Sequence, residues 1–105
     1  MAKGYWVARV DVHDPEAYQK YVAGNGKVFA KFGARFLVRA GRSETPEGSS
    51  RSRNVVIEFP SFEAALACWH SPEYQEVLKL RLGASTADLL VIEGYEGPQP
   101  LPAKQ

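Results

Sequence analysis

Hydrophobic and polar positions divide the chain into stretches of two different periods. Tyr5 to Val12 is dominated by aromatic and β-branched residues and predicts a strand. Asp14 and Pro15 then open a helix, the carboxylate as N-cap and the proline at a position that misses no N–H. Tyr18, Tyr21, Val22, Asn25, Val28, Phe29 and Phe32 recur three and four apart, so they share one helix face. Lys27 and Lys31 suit the negative helix end, and Gly33 stops it. Gly24 and Gly26 each cost about 1 kcal/mol against Ala. They imply either a close backbone approach or an irregular helix. Arg35 to Ala40 predicts a second strand, 41–52 a long polar loop, and Arg53 to Phe59 a third strand closed by Pro60. Ser61 caps a helix from Phe62 to His70, and Ser71-Pro72 repeats the signal for a further helix to Leu82. A fourth strand is expected from Ala87 to Tyr95, followed by a flexible Pro-rich tail over 96–105.

The order β-α-β-β-α-β predicts an α+β, ferredoxin-like fold: a four-stranded antiparallel sheet with its helices on one face. The opposite face should be polar in a monomer. Instead the strands are apolar on both sides near their middles, as in Val55, Val56 and Ile57 or Leu89, Leu90 and Val91. An uncovered apolar face predicts a homodimer packed sheet on sheet; the alternative is that the tail or the long loop covers it.

A chain of 105 residues supports a single domain, here 1–95, with the tail beyond it. Hydrophobic residues at 45% and charged residues at 24% exclude wholesale disorder. A net charge of +1 argues against nucleic acid as a partner. Cys68 stands alone, so neither an internal disulfide nor a Cys-cluster zinc site is expected. No apolar run approaches membrane-spanning length, and residues 1–8 lack the pattern of a signal peptide. A cytoplasmic protein with no membrane partner is the expectation.

Several blocks carry a resemblance. Lys3 to Val12, Asp14 to Tyr18, Gly33 to Arg39, Arg53 to Ser61 and Ser71 to Tyr74 together resemble the family called domain of unknown function 1330. The likeness runs from about Lys3 to Tyr95. It implies the dimeric α+β barrel superfamily, whose members include cofactor-independent monooxygenases, isomerases and ligand-sensing domains. It transfers no catalytic residue, because fold does not determine function.

The candidate site is therefore read from the residues. Trp69-His70-Ser71-Pro72-Glu73-Tyr74 is the densest polar-aromatic cluster. Tyr74, Leu78 and Arg81 lie along one helix face. Arg81 or Arg53 is a candidate to hold a carboxylate or other anionic group, with Trp69 and Tyr74 walling a flat molecule; alternatively Trp69 and Tyr74 are core anchors and Arg81 pairs with Asp88 or Glu58. His70 is the candidate acid–base group near neutral pH. Glu58 interrupts an apolar strand. It is a candidate general base facing Arg53 or Arg81, or half of a structural ion pair. Asn25, on the apolar helix face, is a candidate for orienting a ligand oxygen. His13 reads as a surface turn residue, and the two histidines make no metal motif. Arg39, Arg42, Arg51 and Arg53 flank the loop and read as a solvated hairpin tip. Two functions remain open: a cofactor-independent enzyme of isomerase or monooxygenase type acting on a small organic substrate, or a non-catalytic ligand-binding or sensor module.

Overall fold

The computed structural model describes residues 2–100. Its elements are β1 (Gly4–Val12), α1 (Pro15–Lys31), β2 (Arg35–Arg39), β3 (Arg53–Phe59), α2 (Phe62–His70), α3 (Pro72–Leu82) and β4 (Ser85–Glu93). The strands form one antiparallel sheet in the order β2-β3-β1-β4. This is the ferredoxin-like arrangement, with the second helical segment divided in two.

Local chemistry explains the boundaries. Asp14 accepts from the Ala17 N–H at 3.1 Å to start α1. Gly33, at φ +73°, turns the chain out of it. Ser71 both ends α2 and starts α3. Its hydroxyl donates to the Cys68 carbonyl at 2.8 Å and accepts from the Tyr74 N–H at 3.1 Å. Pro72 follows at the first position of α3. The helix α1 runs unbroken through both mid-helix glycines, and a Cβ at Gly24 would meet only Val77 side-chain atoms at 3.9 Å. Neither the close approach nor the irregularity is found. The fourth strand starts at Ser85, earlier than its composition suggested, because Val12 pairs with Ser85 and the N–H groups of His13 and Asp14 both donate to the Ala84 carbonyl. The second strand stops at Arg39 because Ala40 takes φ 57°. Part of the expected tail, 101–105, lies outside the described residues.

Alternation along the strands sends Trp6, Ala8, Val10, Val55, Ile57 and Phe59 toward the helices, where all are buried. Trp6 is the centre of this layer. Its ring centroid lies 5.0 Å from Tyr74, 5.3 Å from Phe29 and Phe59, and 5.8 Å from Trp69. Its indole N–H donates to the Ala65 carbonyl at 2.9 Å, so the buried polar handle is satisfied. The other sheet face carries Tyr5, Val7, Val56, Leu90 and Ile92, with Leu90 51% and Ile92 50% exposed. The long loop leaves Leu90 and Ile92 exposed. Its Arg51 reaches Asp11 at 2.8 Å and Asp88 at 2.9 Å, two carboxylates that alternation places at the other end of this same face.

Candidate functional site

Beside the aromatic core, α1 stands off the sheet and leaves a cavity. The helix contributes Tyr18, Tyr21, Val22, Asn25 and Phe29, and the sheet contributes Ala8, Val10, Val55 and Ile57. Arg39 and Arg53 close one end, and Arg81 enters from α3. The inner chamber is small, about 40 Å³, enough for a hydroxyl and a ring edge. An outer vestibule of about 420 Å³ shares Tyr18, Val22, Arg39 and Arg53 with it and opens past Val12, Pro15 and Gln19. The two together reach the size range of ordinary ligand sites.

Every polar group on these walls is neutral or cationic; no carboxylate or imidazole lines either chamber. Arg81 is 7% exposed, yet no carboxylate among the described residues lies within ion-pair distance of it. Its guanidinium instead donates to the Tyr74 hydroxyl at 3.5 Å and lies 5.4 Å from the Tyr21 ring centre. Burial lowers its pKa, the Tyr74 and Tyr21 hydroxyls raise it by more, and the net shift is upward, so it stays charged. Tyr21 and Tyr74 are hydrogen-bonded at 2.8 Å. Burial, then the Tyr74 neighbour, drives the Tyr21 hydroxyl far above its ordinary value, so it remains a neutral donor. Arg53 stacks over Tyr18 at 5.3 Å and Arg39 over Phe36 at 4.0 Å. Among the described residues two buried side-chain polar atoms lack a hydrogen-bond partner, Asn25 Oδ1 and Arg53 Nε. Both residues line this cavity. Buried polar atoms are rarely left unpaired, which sets these two apart on the cavity wall.

The residues singled out from sequence fall into three places. Asn25, Arg53 and Arg81 come together on the cavity walls. Tyr74 and Trp69 stack at 5.3 Å in the layer behind the cavity, where Tyr74 supports Tyr21 and Arg81 from the rear. His70 and Glu58 are elsewhere. His70 is the exposed last residue of α2. Glu58 points to the open sheet face, the strand alternation placing it opposite to Ile57. There it accepts from Arg35 Nε at 3.4 Å and from the Tyr5 hydroxyl at 3.3 Å. Asp88, the other proposed partner for Arg81, is engaged by Arg51. Tyr18, Tyr21 and Arg39 also line the cavity but look like core or loop residues in sequence. Their signal was parity: the tyrosines share the Asn25 helix face, and Arg39 stands opposite the inward-facing Val55 across β2 and β3. Cys68 is fully buried, and burial pushes its thiol up to about 12, which leaves it an inert packing residue.

The family model for the domain of unknown function DUF1330 matches residues 3–95. The chain belongs to the DUF1330 family. Among solved structures, a protein of unknown function from Rhodopseudomonas palustris aligns with a TM-score of 0.72 at 19% identity, over 91% of this chain and 85% of that one. A cofactor-independent oxygenase from Streptomyces nogalater aligns with a TM-score of 0.65 at 17% identity, over 97% and 99%. A dimeric ferredoxin-like protein of unknown function from Thermobifida fusca aligns with a TM-score of 0.60 at 12% identity, over 88% and 91%. No curated protein matches the sequence. These likenesses establish the shared fold of this DUF1330 chain. Among the described residues no helix is long and apolar enough to cross a membrane, and no group of acidic, His and Cys side chains is placed to hold a metal ion.

Proposed function

We propose that this DUF1330 protein binds a flat organic anion between α1 and the sheet and acts on it without a cofactor. One observation carries the reading: the guanidinium of Arg81 is buried on the cavity wall with no acid among the described residues to pair it. An unpaired buried cation is costly, and an anionic ligand supplies the missing charge. Arg39 and Arg53 extend the positive lining to the mouth.

The chemistry follows from the charge. Isomerisation and oxygenation of a substrate with an acidic C–H or O–H both pass through its anion. Guanidinium, amide and hydroxyl donors with no acid beside them favour that anion over the neutral form, which lowers the substrate's own pKa. The proton leaves by the vestibule. The anion is then reprotonated at another carbon, or its carbon bonds to molecular oxygen and takes up a proton to give a hydroperoxide, which loses water across its O–O and adjacent C–H bonds to leave a carbonyl. The fold shared with a cofactor-independent oxygenase supports the second route. Binding without turnover is the alternative, favoured by the lack of any carboxylate or imidazole on the walls.

The unit that does this is a homodimer joined through the open sheet face. Its exposed Leu90 and Ile92 support this, as does the dimeric fold neighbour. Titration of 2-naphthoate and its neutral amide by calorimetry tests the binding step. The acid is expected to bind at least about tenfold more tightly. Equal affinity sinks the anion reading. Oxygen uptake on adding readily ionised phenolic acids, with no cofactor present, separates turnover from binding alone.

A further inference from the structure

The two unpartnered groups are not at the same end of the cavity. Asn25 lines only the inner chamber, whereas Arg53 lines both the inner chamber and the vestibule. Arg53 sits over Tyr18, and Tyr18 precedes Asn25 by two helical turns, about 10 Å along α1. Between these ends the sheet wall is small and apolar, formed by Ala8, Val10 and Val55. The inner group is an amide, 5% exposed, that makes no hydrogen bond to any described residue through its oxygen. A primary amide both donates and accepts, and a hydroxyl is the smallest ligand group that answers both. The outer group is a guanidinium with its Nε–H unused and a second arginine, Arg39, beside it on the same wall. Such a fork pairs with the two oxygens of a carboxylate.

Resting on the anion reading above, we propose that the ligand is a flat, two-ring hydroxy acid. Its hydroxyl sits on the Asn25 amide at the inner end. Its carboxylate sits on Arg53 and Arg39 at the mouth. Arg81, beside the inner end, stabilises the hydroxyl oxygen as it ionises, which makes the Asn25 end the reactive one.

The test is calorimetric titration of the full chain with 6-hydroxy-2-naphthoate, 6-methoxy-2-naphthoate, 2-naphthoate and 2-naphthol. Wild type is expected to bind the hydroxy acid about tenfold more tightly than the methoxy acid or 2-naphthoate, because only the hydroxyl satisfies the buried amide. Asn25→Ala is expected to lose that preference, with a single cooperative urea transition as its folding control. Equal binding of hydroxy acid and 2-naphthoate by wild type overturns the hydroxyl seat and leaves the anion reading standing. A hydroxyl preference that survives in Asn25→Ala overturns it as well. If 2-naphthol binds as tightly as the hydroxy acid, or if none of the four binds at millimolar concentration, both readings fall. The wild-type series decides the matter even if the variant does not fold.

Discussion

Arg81→Met is the substitution that separates a buried charge held for a ligand from one held for the fold. Methionine keeps most of the side-chain volume and removes the guanidinium. Burying a charged group costs several kcal/mol after relaxation. Against that, the Tyr74 hydroxyl lies at 3.5 Å, the outer limit of a hydrogen bond, and offsets about 0.5 kcal/mol. The Tyr21 ring at 5.4 Å offsets about 2 kcal/mol in a desolvated setting. No carboxylate adds to these terms among the described residues. The free protein should therefore gain about 1–3 kcal/mol on substitution, within the range seen when buried ions give way to apolar residues. Tyr74 keeps its bond to Tyr21, so no hydroxyl is orphaned. Urea denaturation at one fixed protein concentration reads the change, since a dimer's stability depends on concentration. The same variant should lose at least about tenfold in affinity for 6-hydroxy-2-naphthoate, whose hydroxyl oxygen is the group placed beside Arg81. A loss of stability of about 2 kcal/mol or more would refute the reasoning, because it would mean the guanidinium is already paired in the free protein.

Three further outcomes are expected. Leu90→Lys, which places a charge in the open sheet face, should convert a species of twice 11.6 kDa into one of 11.6 kDa by light scattering; a wild-type mass already at the single-chain value removes the dimer. Asp11 is held below its ordinary 3.8 by the Ser52 backbone N–H first and the Arg51 side chain next. Its ionised form is the one the fold favours, so its contribution is complete above the unfolded value and disappears as pH falls through the lower folded one. The 41–52 loop should therefore loosen only below about pH 3.8, seen as faster Ser52 amide exchange, and Asp11→Asn should loosen it at neutral pH; an unchanged Ser52 amide in the variant contradicts this. Gly4→Ala would drive its Cβ onto the Ser61 carbonyl oxygen and to 2.6 Å from the Phe62 Cα, both backbone atoms that cannot swing aside, and should cost about 2–3 kcal/mol by denaturation; a neutral result would mean that the α2 start shifts freely.

The fold was readable because its signals are local. Asp14-Pro15 and Ser71-Pro72 announce their helices within two residues, and the Ser-Pro step explains why the second helical segment is two helices. The site was readable only where a residue broke its own pattern. Asn25 is polar on an apolar helix face, and Arg81 shares a face with Tyr74 and Leu78. What makes Arg81 notable is the absence of an acidic partner among the described residues, and that is decided by distant chain. The loop residue Arg51 takes Asp88, and Arg35 on the neighbouring strand takes Glu58. His70 stood out through its sequence neighbours, yet those neighbours split between two helices, and His70 points to solvent. Arg53 read two ways in the sequence, as a holder of an anionic group and as part of a solvated loop edge. Its phase with Val55 and Ile57 turns it inward, and strand parity was the better guide than the composition around it.

The most direct test of the central claim is NMR of the arginine Nε–Hε groups during titration with 6-hydroxy-2-naphthoate. The account predicts that the Arg53 and Arg81 signals move downfield and exchange more slowly with water as the anion arrives, with Arg53 moving most because its Nε–H is buried and unpaired in the free protein. Saturable binding that leaves both signals where they stood would place the anion elsewhere and contradict the account.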